Sequence, residues 1–215
     1  MPFLEIAQPK LKKDSTLVKH VEEHLAPQLS AKLQHSGVLN GTRGFLVTEN
    51  GRDVRDEYRD IVFLEWPSRQ HLRDFAASPE LAEHKEKMKP YIDGPTNVKL
   101  FEIDNDDISS FFGADAVVEY LAIKPNDTSE AGVQSVLQYL QSGLSQLGSA
   151  KALVGGSCNL ETREIAVVSI YASDADLNAA KAAAARQQLL AELAKTVSTT
   201  SLVAHVKKVI PLGEK

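Results

Sequence analysis

The sequence has a single cysteine, Cys158. No internal disulfide can form, and a lone thiol suits a reducing compartment. Positive charge is also in short supply: the formal net charge is −5, which argues against nucleic acid or an anionic membrane as the main partner, since both call for a basic face. The nearest basic run, His84-Lys85-Glu86-Lys87-Met88-Lys89, is interrupted by Glu86 and reads as a solvated helix end. Met1-Pro2-Phe3-Leu4-Glu5 is not a basic region leading into an apolar core, so no signal peptide is expected there. No apolar run approaches membrane-spanning length. Gly155-Gly156 lacks the Lys-Ser/Thr and following helix of a phosphate loop, and no Ser-His-Asp or zinc pattern stands out. The expectation is a soluble, intracellular, cytoplasmic protein with neither metal nor organic cofactor.

What remains is ordinary globular material, 43% hydrophobic and 25% charged over 215 residues, enough for one large domain or two small ones. Self-similarity decides between them. The apolar stretch Phe3-Leu4-Glu5-Ile6-Ala7 reappears as Val117-Val118-Glu119-Tyr120-Leu121, with Glu5 on Glu119 at an offset of 114. A helix then begins at Asp14-Ser15, with a stripe of Leu17, Val21, Leu25, Leu29 and Leu33. Pro27 lies inside that helix and should kink it. Its counterpart begins at Asp127-Thr128-Ser129, and Val136, Leu140 and Leu144 follow Val21, Leu25 and Leu29 by 115. Glycines end both helices, Gly37 and Gly148.

Two strands follow in each half, 42–48 with 59–66 and 150–158 with 164–171. The first pair is joined by a longer polar loop, so the offset drops to 105. That offset then holds: Trp66-Pro67-Ser68 falls on Tyr171-Ala172-Ser173. Helical segments 68–89 and 174–196 and final strands 97–103 and 202–209 complete the pattern. Strand, helix, strand, strand, helix, strand is the ferredoxin-like unit. The fold expected is therefore α+β, two tandem ferredoxin-like βαββαβ units over residues 1–104 and 116–215. The linker is 105–115, with Phe111-Phe112 expected to dock on one end of the core.

The stretch Ile61-Val62-Phe63-Leu64-Glu65-Trp66-Pro67-Ser68, continuing through His71 and Phe75 to Ser78-Pro79-Glu80-Leu81, resembles the antibiotic-biosynthesis-monooxygenase-like branch of the dimeric α+β barrel superfamily. The match is confined to the first half; the second keeps the element order but has an alanine-rich helix in place of Ser-Pro. The resemblance implies that the two units close an intramolecular barrel, a pseudo-dimer for which a monomer suffices, with further self-association open. It implies a pocket between the sheet and helices of one unit. Reactions in the superfamily include cofactor-independent oxygenation of aromatic polyketides, cyclisation, decarboxylation, isomerisation and haem degradation, so fold does not choose among them. Phe75 stands where many members carry histidine. The Asn-Trp-His set of the haem-degrading branch is not matched, nor is a haem-ligand motif of the chlorite-dismutase type.

Histidine is the natural acid–base group near neutral pH. His84 shares a stripe with Leu81, Met88 and Ile92 and should face the sheet. His71 lies one turn before Phe75. His205 replaces a leucine, Leu100, at the 105 offset. These three are the catalytic candidates. Glu5, His24, Tyr58, Trp66, Phe75 and Tyr120 are the candidates for binding a substrate: Glu5 as a strand carboxylate whose burial would raise its pKa, His24 at the border of the apolar stripe, and the aromatics as walls for a flat molecule. The reading that follows is an enzyme acting on a small apolar or aromatic, polyketide-like compound by side-chain acid–base chemistry. The alternatives are a non-catalytic ligand-binding or stress-associated barrel, and a haem protein using His84.

Overall fold

The computed structural model describes residues 3–103, 115–159 and 162–210. The expected linker, with Phe111-Phe112, lies outside them apart from Asp115. In the first half β1 (Phe3–Gln8) leads into α1 (Ser15–His20), a π-helical turn (Val21–Leu25) and α2 (Ala26–His35). Strand β2 (Asn40–Glu49) turns at Asn50-Gly51 into the two-residue β3 (Arg52–Asp53). Both turn residues have left-handed φ, 49° and 80°, as a tight hairpin of the type I′ kind requires. β4 (Asp60–Trp66), α3 (Arg69–Ala76), α4 (Pro79–Met88) and β5 (Asn97–Ile103) complete the half.

The second half runs β6 (Ala116–Pro125), α5 (Glu130–Gly143), β7 (Lys151–Ser157), β8 (Ile165–Tyr171), α6 (Asp174–Ala182), α7 (Ala184–Leu193) and β9 (Val197–Ile210). Helix starts correspond between the halves. Asp14 caps α1 and Ser129 caps α5, 115 residues apart; Ser68 caps α3 and Ser173 caps α6, 105 apart. The single helix expected over 174–196 is broken at Ala183, whose backbone is extended (φ −67°, ψ 129°). Alanine is the best helix former, so packing rather than propensity makes the break. The kink expected at Pro27 takes the form of the π-helical turn. Proline has no N–H and its ring crowds the carbonyl four residues back, and the wider turn ends where Pro27 enters the first turn of α2.

Eight strands close an antiparallel barrel in the order β2-β4-β1-β5-β7-β8-β6-β9, with β9 returning to β2. Each half contributes its strands in the same order: second, third, first, fourth. The two seams differ. Among the described residues β2 and β9 are paired over eight rungs, whereas β5 and β7 share three, Phe101↔Ser157, Glu102↔Gly156 and Ile103↔Gly155.

Strand residues alternate between two sides. Leu4, Ile6, Phe63, Phe101, Tyr120 and Val168 fill the barrel interior. On the outside of the first half, Phe3, Leu64 and Trp66 pack with Leu33 and Phe75 from the helices. On the outside of the second, Leu121, Ile123 and Val167 pack with Leu140, Leu189 and Leu193. The molecule is thus a barrel with an apolar interior and one helix-backed layer on each side.

Candidate functional site

The layer outside the first half carries charged groups among its apolar side chains. Glu5 points outward from β1, level with Leu64 on one neighbouring strand and Leu100 on the other. Trp66 Nε1 donates to Glu5 Oε2 at 2.7 Å. Burial pushes the Glu5 carboxyl above its ordinary 4.5, against the lowering effects of the Trp66 hydrogen bond and of Lys85. Trp66 is fully buried, and the Phe75 ring lies 5.7 Å from it.

Arg43 of β2 and Asp60 of β4 share this outer face. Arg43 Nε donates to Asp60 Oδ2 at 2.6 Å. Burial raises the Asp60 pKa, and Arg43 opposes the rise. His84 of α4 is buried, and burial, then Lys32, Lys87 and Arg43, push it down to about 4. It is therefore a neutral imidazole at physiological pH. Among the described residues, Arg43 Nη2, Asp60 Oδ1 and His84 Nδ1 are buried with no hydrogen-bond partner. Buried polar atoms are nearly always satisfied. Three orphans in one layer mark a place that expects a ligand or water.

The second half treats the equivalent position differently. Glu119, the counterpart of Glu5, accepts from Arg186 Nη2 at 2.6 Å and from Ser201 Oγ at 3.1 Å. Arg186 Nη1 also donates to Tyr171 Oη at 2.7 Å, and Tyr171 donates to the Leu147 carbonyl at 3.2 Å. Tyr171 occupies the place of Trp66, and Arg186 follows Leu81 by 105 residues. At this matching helix position the first half has an apolar residue, Leu81, and the second a buried cation, Arg186. The second layer is an internally satisfied network.

The residues expected from sequence separate accordingly. Glu5, Trp66, Phe75 and His84 belong to the first layer. Tyr58 sits at its margin, packed against the Leu11, Val21 and Leu25 cluster with a left-handed φ of 46°. Four others point elsewhere. His24 is exposed in the π-helical turn, its ring centroid 4.8 Å from that of His20; the wider turn shifts the helical phase and carries it off the apolar stripe. His71 is exposed at the start of α3, its Nδ1 2.8 Å from Ser68 Oγ. His205 is half-exposed on β9, its Nε2 3.0 Å from Asp174 Oδ1. Tyr120 faces the barrel interior, on the other side of the sheet from Glu119. Arg43, Asp60 and Arg186 were not among the candidates, although each is a lone charge in an otherwise apolar strand or helix face, which was the available signal. Gly155 is closely packed: a Cβ there would meet Ile103 Cδ1 at 2.4 Å.

No group of three or more histidine, cysteine, aspartate or glutamate side chains is arranged to hold a metal among the described residues. No described helix is long and apolar enough to cross a membrane.

No protein-family model and no curated protein matches the chain. Solved structures do match. An anthrone oxidase-like protein superposes with a TM-score of 0.66 at 15% identity, over 100% of this chain and 94% of that one. A candidate monooxygenase of Fusobacterium nucleatum gives 0.63 at 10% identity, over 96% and 92%. A candidate chlorite dismutase gives 0.64 at 7% identity, over 97% and 95%. The chain shares its fold with these proteins. At these identities the likeness concerns the backbone alone. Within this fold, the first-half layer holds three of the unsatisfied buried polar atoms among the described residues, on Arg43, Asp60 and His84.

Proposed function

We propose that the chain is a small-molecule enzyme of the oxidase or monooxygenase type, acting on an apolar or aromatic, polyketide-like substrate in the layer between the first-half sheet and its helices. Its two halves are read as fused ferredoxin-like units of the antibiotic-biosynthesis-monooxygenase-like kind, of which the first is the working one. The observation that carries the reading is Glu5. It is a carboxylate with a raised pKa, oriented by Trp66 and without an ion pair among the described residues, while its twin Glu119 is neutralised by Arg186. A raised-pKa carboxylate in an apolar site is a fitting general base.

The names of the structural neighbours suggest the reaction to try. In anthrone oxidation a base takes a proton from the ring methylene. The resulting carbanion gives its electrons to dioxygen, and anthrone plus dioxygen becomes anthraquinone plus water. Glu5 would take the proton, and Arg43 Nη2 and neutral His84 would face the oxygen substituents. The chemistry needs no organic cofactor because the stabilised carbanion is itself the reductant.

The alternative of a haem protein centres on His84. A metal-ligating histidine is usually held by an acceptor on its other ring nitrogen, and His84 makes no hydrogen bond among the described residues. That observation favours the cofactor-free reading over the haem one.

The test is oxygen uptake with an anthrone, comparing the wild type with Glu5→Gln and Glu119→Gln. Turnover should fall by about 10²–10⁴-fold for Glu5→Gln, the usual contribution of a general base. If Glu5→Gln matches wild type while the protein is folded, the assignment is wrong. If no apolar substrate is turned over but one is retained through purification, the chain is a binding protein.

A further inference from the structure

One end of the barrel interior is not filled. A cavity of about 320 Å³ opens where β1, β2 and β6 end and β5 and β9 begin. Its floor is apolar, made by Tyr120, Ala122 and Leu202. Its rim is polar, with Gln8, Lys124, Ser198 and Thr200 among the lining side chains. Gln8 points inward from β1, the opposite side from Glu5, so this space is separated from the outer layer by the sheet itself.

The rim's acceptors are already engaged. Lys99 Nζ contacts both oxygens of buried Glu164, at 2.6 and 2.9 Å, and Tyr120 Oη donates to Glu164 Oε1 at 2.8 Å. Arg59 donates to both oxygens of Glu49, at 2.8 and 3.2 Å. Gln8 Oε1 accepts from Asn97 Nδ2 at 3.1 Å.

Several donors have no such engagement. Gln8 Nε2 is buried with no partner among the described residues. Lys124 forms no ion pair, and the hydroxyls of Ser198 and Thr200 make no hydrogen bond, among the described residues. Three cations line the cavity, Arg59, Lys99 and Lys124, against two carboxylates, Glu49 and Glu164. The lining is therefore one unit positive in a chain whose net charge is −5. A recess with low-dielectric walls focuses such a surplus.

From this we infer that the barrel mouth binds a small organic carboxylate with an apolar body. The body would rest on Tyr120, Ala122 and Leu202, and the carboxylate would accept from Gln8 Nε2 and pair with Lys124. A volume of this size lies at the small end of the range of ligand pockets, which limits the occupant to a molecule near the size of a single substituted ring. The inference is independent of the reaction proposed for the outer layer.

The test is amide chemical-shift perturbation on the full chain, titrated with benzoate, with benzamide as the neutral isostere and inorganic phosphate as an oxyanion without a ring. Benzoate should shift amides at 97–99, 122–124 and 198–202 saturably, and benzamide and phosphate should bind more weakly. Lys124→Gln should weaken benzoate by about fivefold, the scale of a partly exposed charge pair, with little effect on benzamide. Gln8→Met should weaken benzoate by removing the Nε2 donor, and the accompanying loss of the Asn97 bond to Oε1 should show as a small destabilisation of the free protein. Absence of saturable shifts, or benzoate affinity unchanged in both variants, overturns the inference. Phosphate binding as tightly as benzoate overturns the assignment of an apolar body.

Discussion

Glu5 and Glu119 occupy equivalent strand positions, yet they should respond oppositely to mutation. The folded-state pKa of Glu5 is raised. Between the ordinary value of 4.5 and that raised value, the folded chain holds a proton that the unfolded chain has lost, so stability falls as pH rises through the window. Glu5→Gln removes that dependence. Its melting temperature should exceed that of wild type at pH 8, with the gap closing towards pH 4. A wild-type advantage at pH 8 in calorimetry would show that the carboxylate is stabilised where it sits. Catalysis should run the other way, rising with pH as Glu5 ionises. Arg186 is the converse case. It is almost wholly buried with Glu119, and removing one partner of a buried pair typically costs about 3–5 kcal/mol. Arg186→Leu should destabilise on that scale in chemical denaturation, and adding Glu119→Gln should recover part of the loss by removing the uncompensated charge. The sequence already placed Glu5 and Glu119 in register. It did not reveal their different partners, because Arg186 approaches from a helix whose angle depends on the break at Ala183.

At the level of elements, strand and helix order followed from periodicity, and most boundaries lie within a few residues of those expected. The facing of Tyr120 was harder to read. β6 is buried on both sides, Val117 to Ile123 without exception, so polar–apolar alternation is missing and the chain does not advertise which residues enter the barrel. His24 shows a related limit: a regular helix of period 3.6 leaves it beside the stripe, and a π-helical turn does not. The seams between halves depend on a feature hardly visible in sequence. A Cβ on Gly44 would lie 1.8 Å from the His205 carbonyl oxygen, and one on Gly155 2.7 Å from that of Glu102. Each seam has one glycine where backbones come too close for a side chain. Gly44→Ala should destabilise by about 3 kcal/mol, at the upper end of ordinary substitutions. Gly156→Ala, whose Cβ would make only an ordinary contact with Leu137 Cδ1 at 3.5 Å, is the control for the cost of the residue type alone. Equal effects of the two in urea denaturation would mean that the contact with β9 is not what matters.

For the whole molecule, barrel closure was implied by resemblance rather than by spacing, since pairing between distant strands leaves no local mark. Among the described residues the two closures are unequal, eight rungs at β2–β9 against three at β5–β7. Local opening should begin at the shorter seam. Hydrogen exchange should therefore be faster at amides 101–103 and 155–157 than at 43–46 and 203–206. Equal protection would show that the barrel opens as one unit.

Because a single chain closes the barrel, its two helix-backed sides are specified by different codons. Had two identical chains formed it, a leucine-to-arginine change over one glutamate would have appeared over both, and no side could have been spared. Here Leu81 and Arg186 are inherited separately. One side can be committed to holding the molecule together while the other stays open to selection for a new ligand.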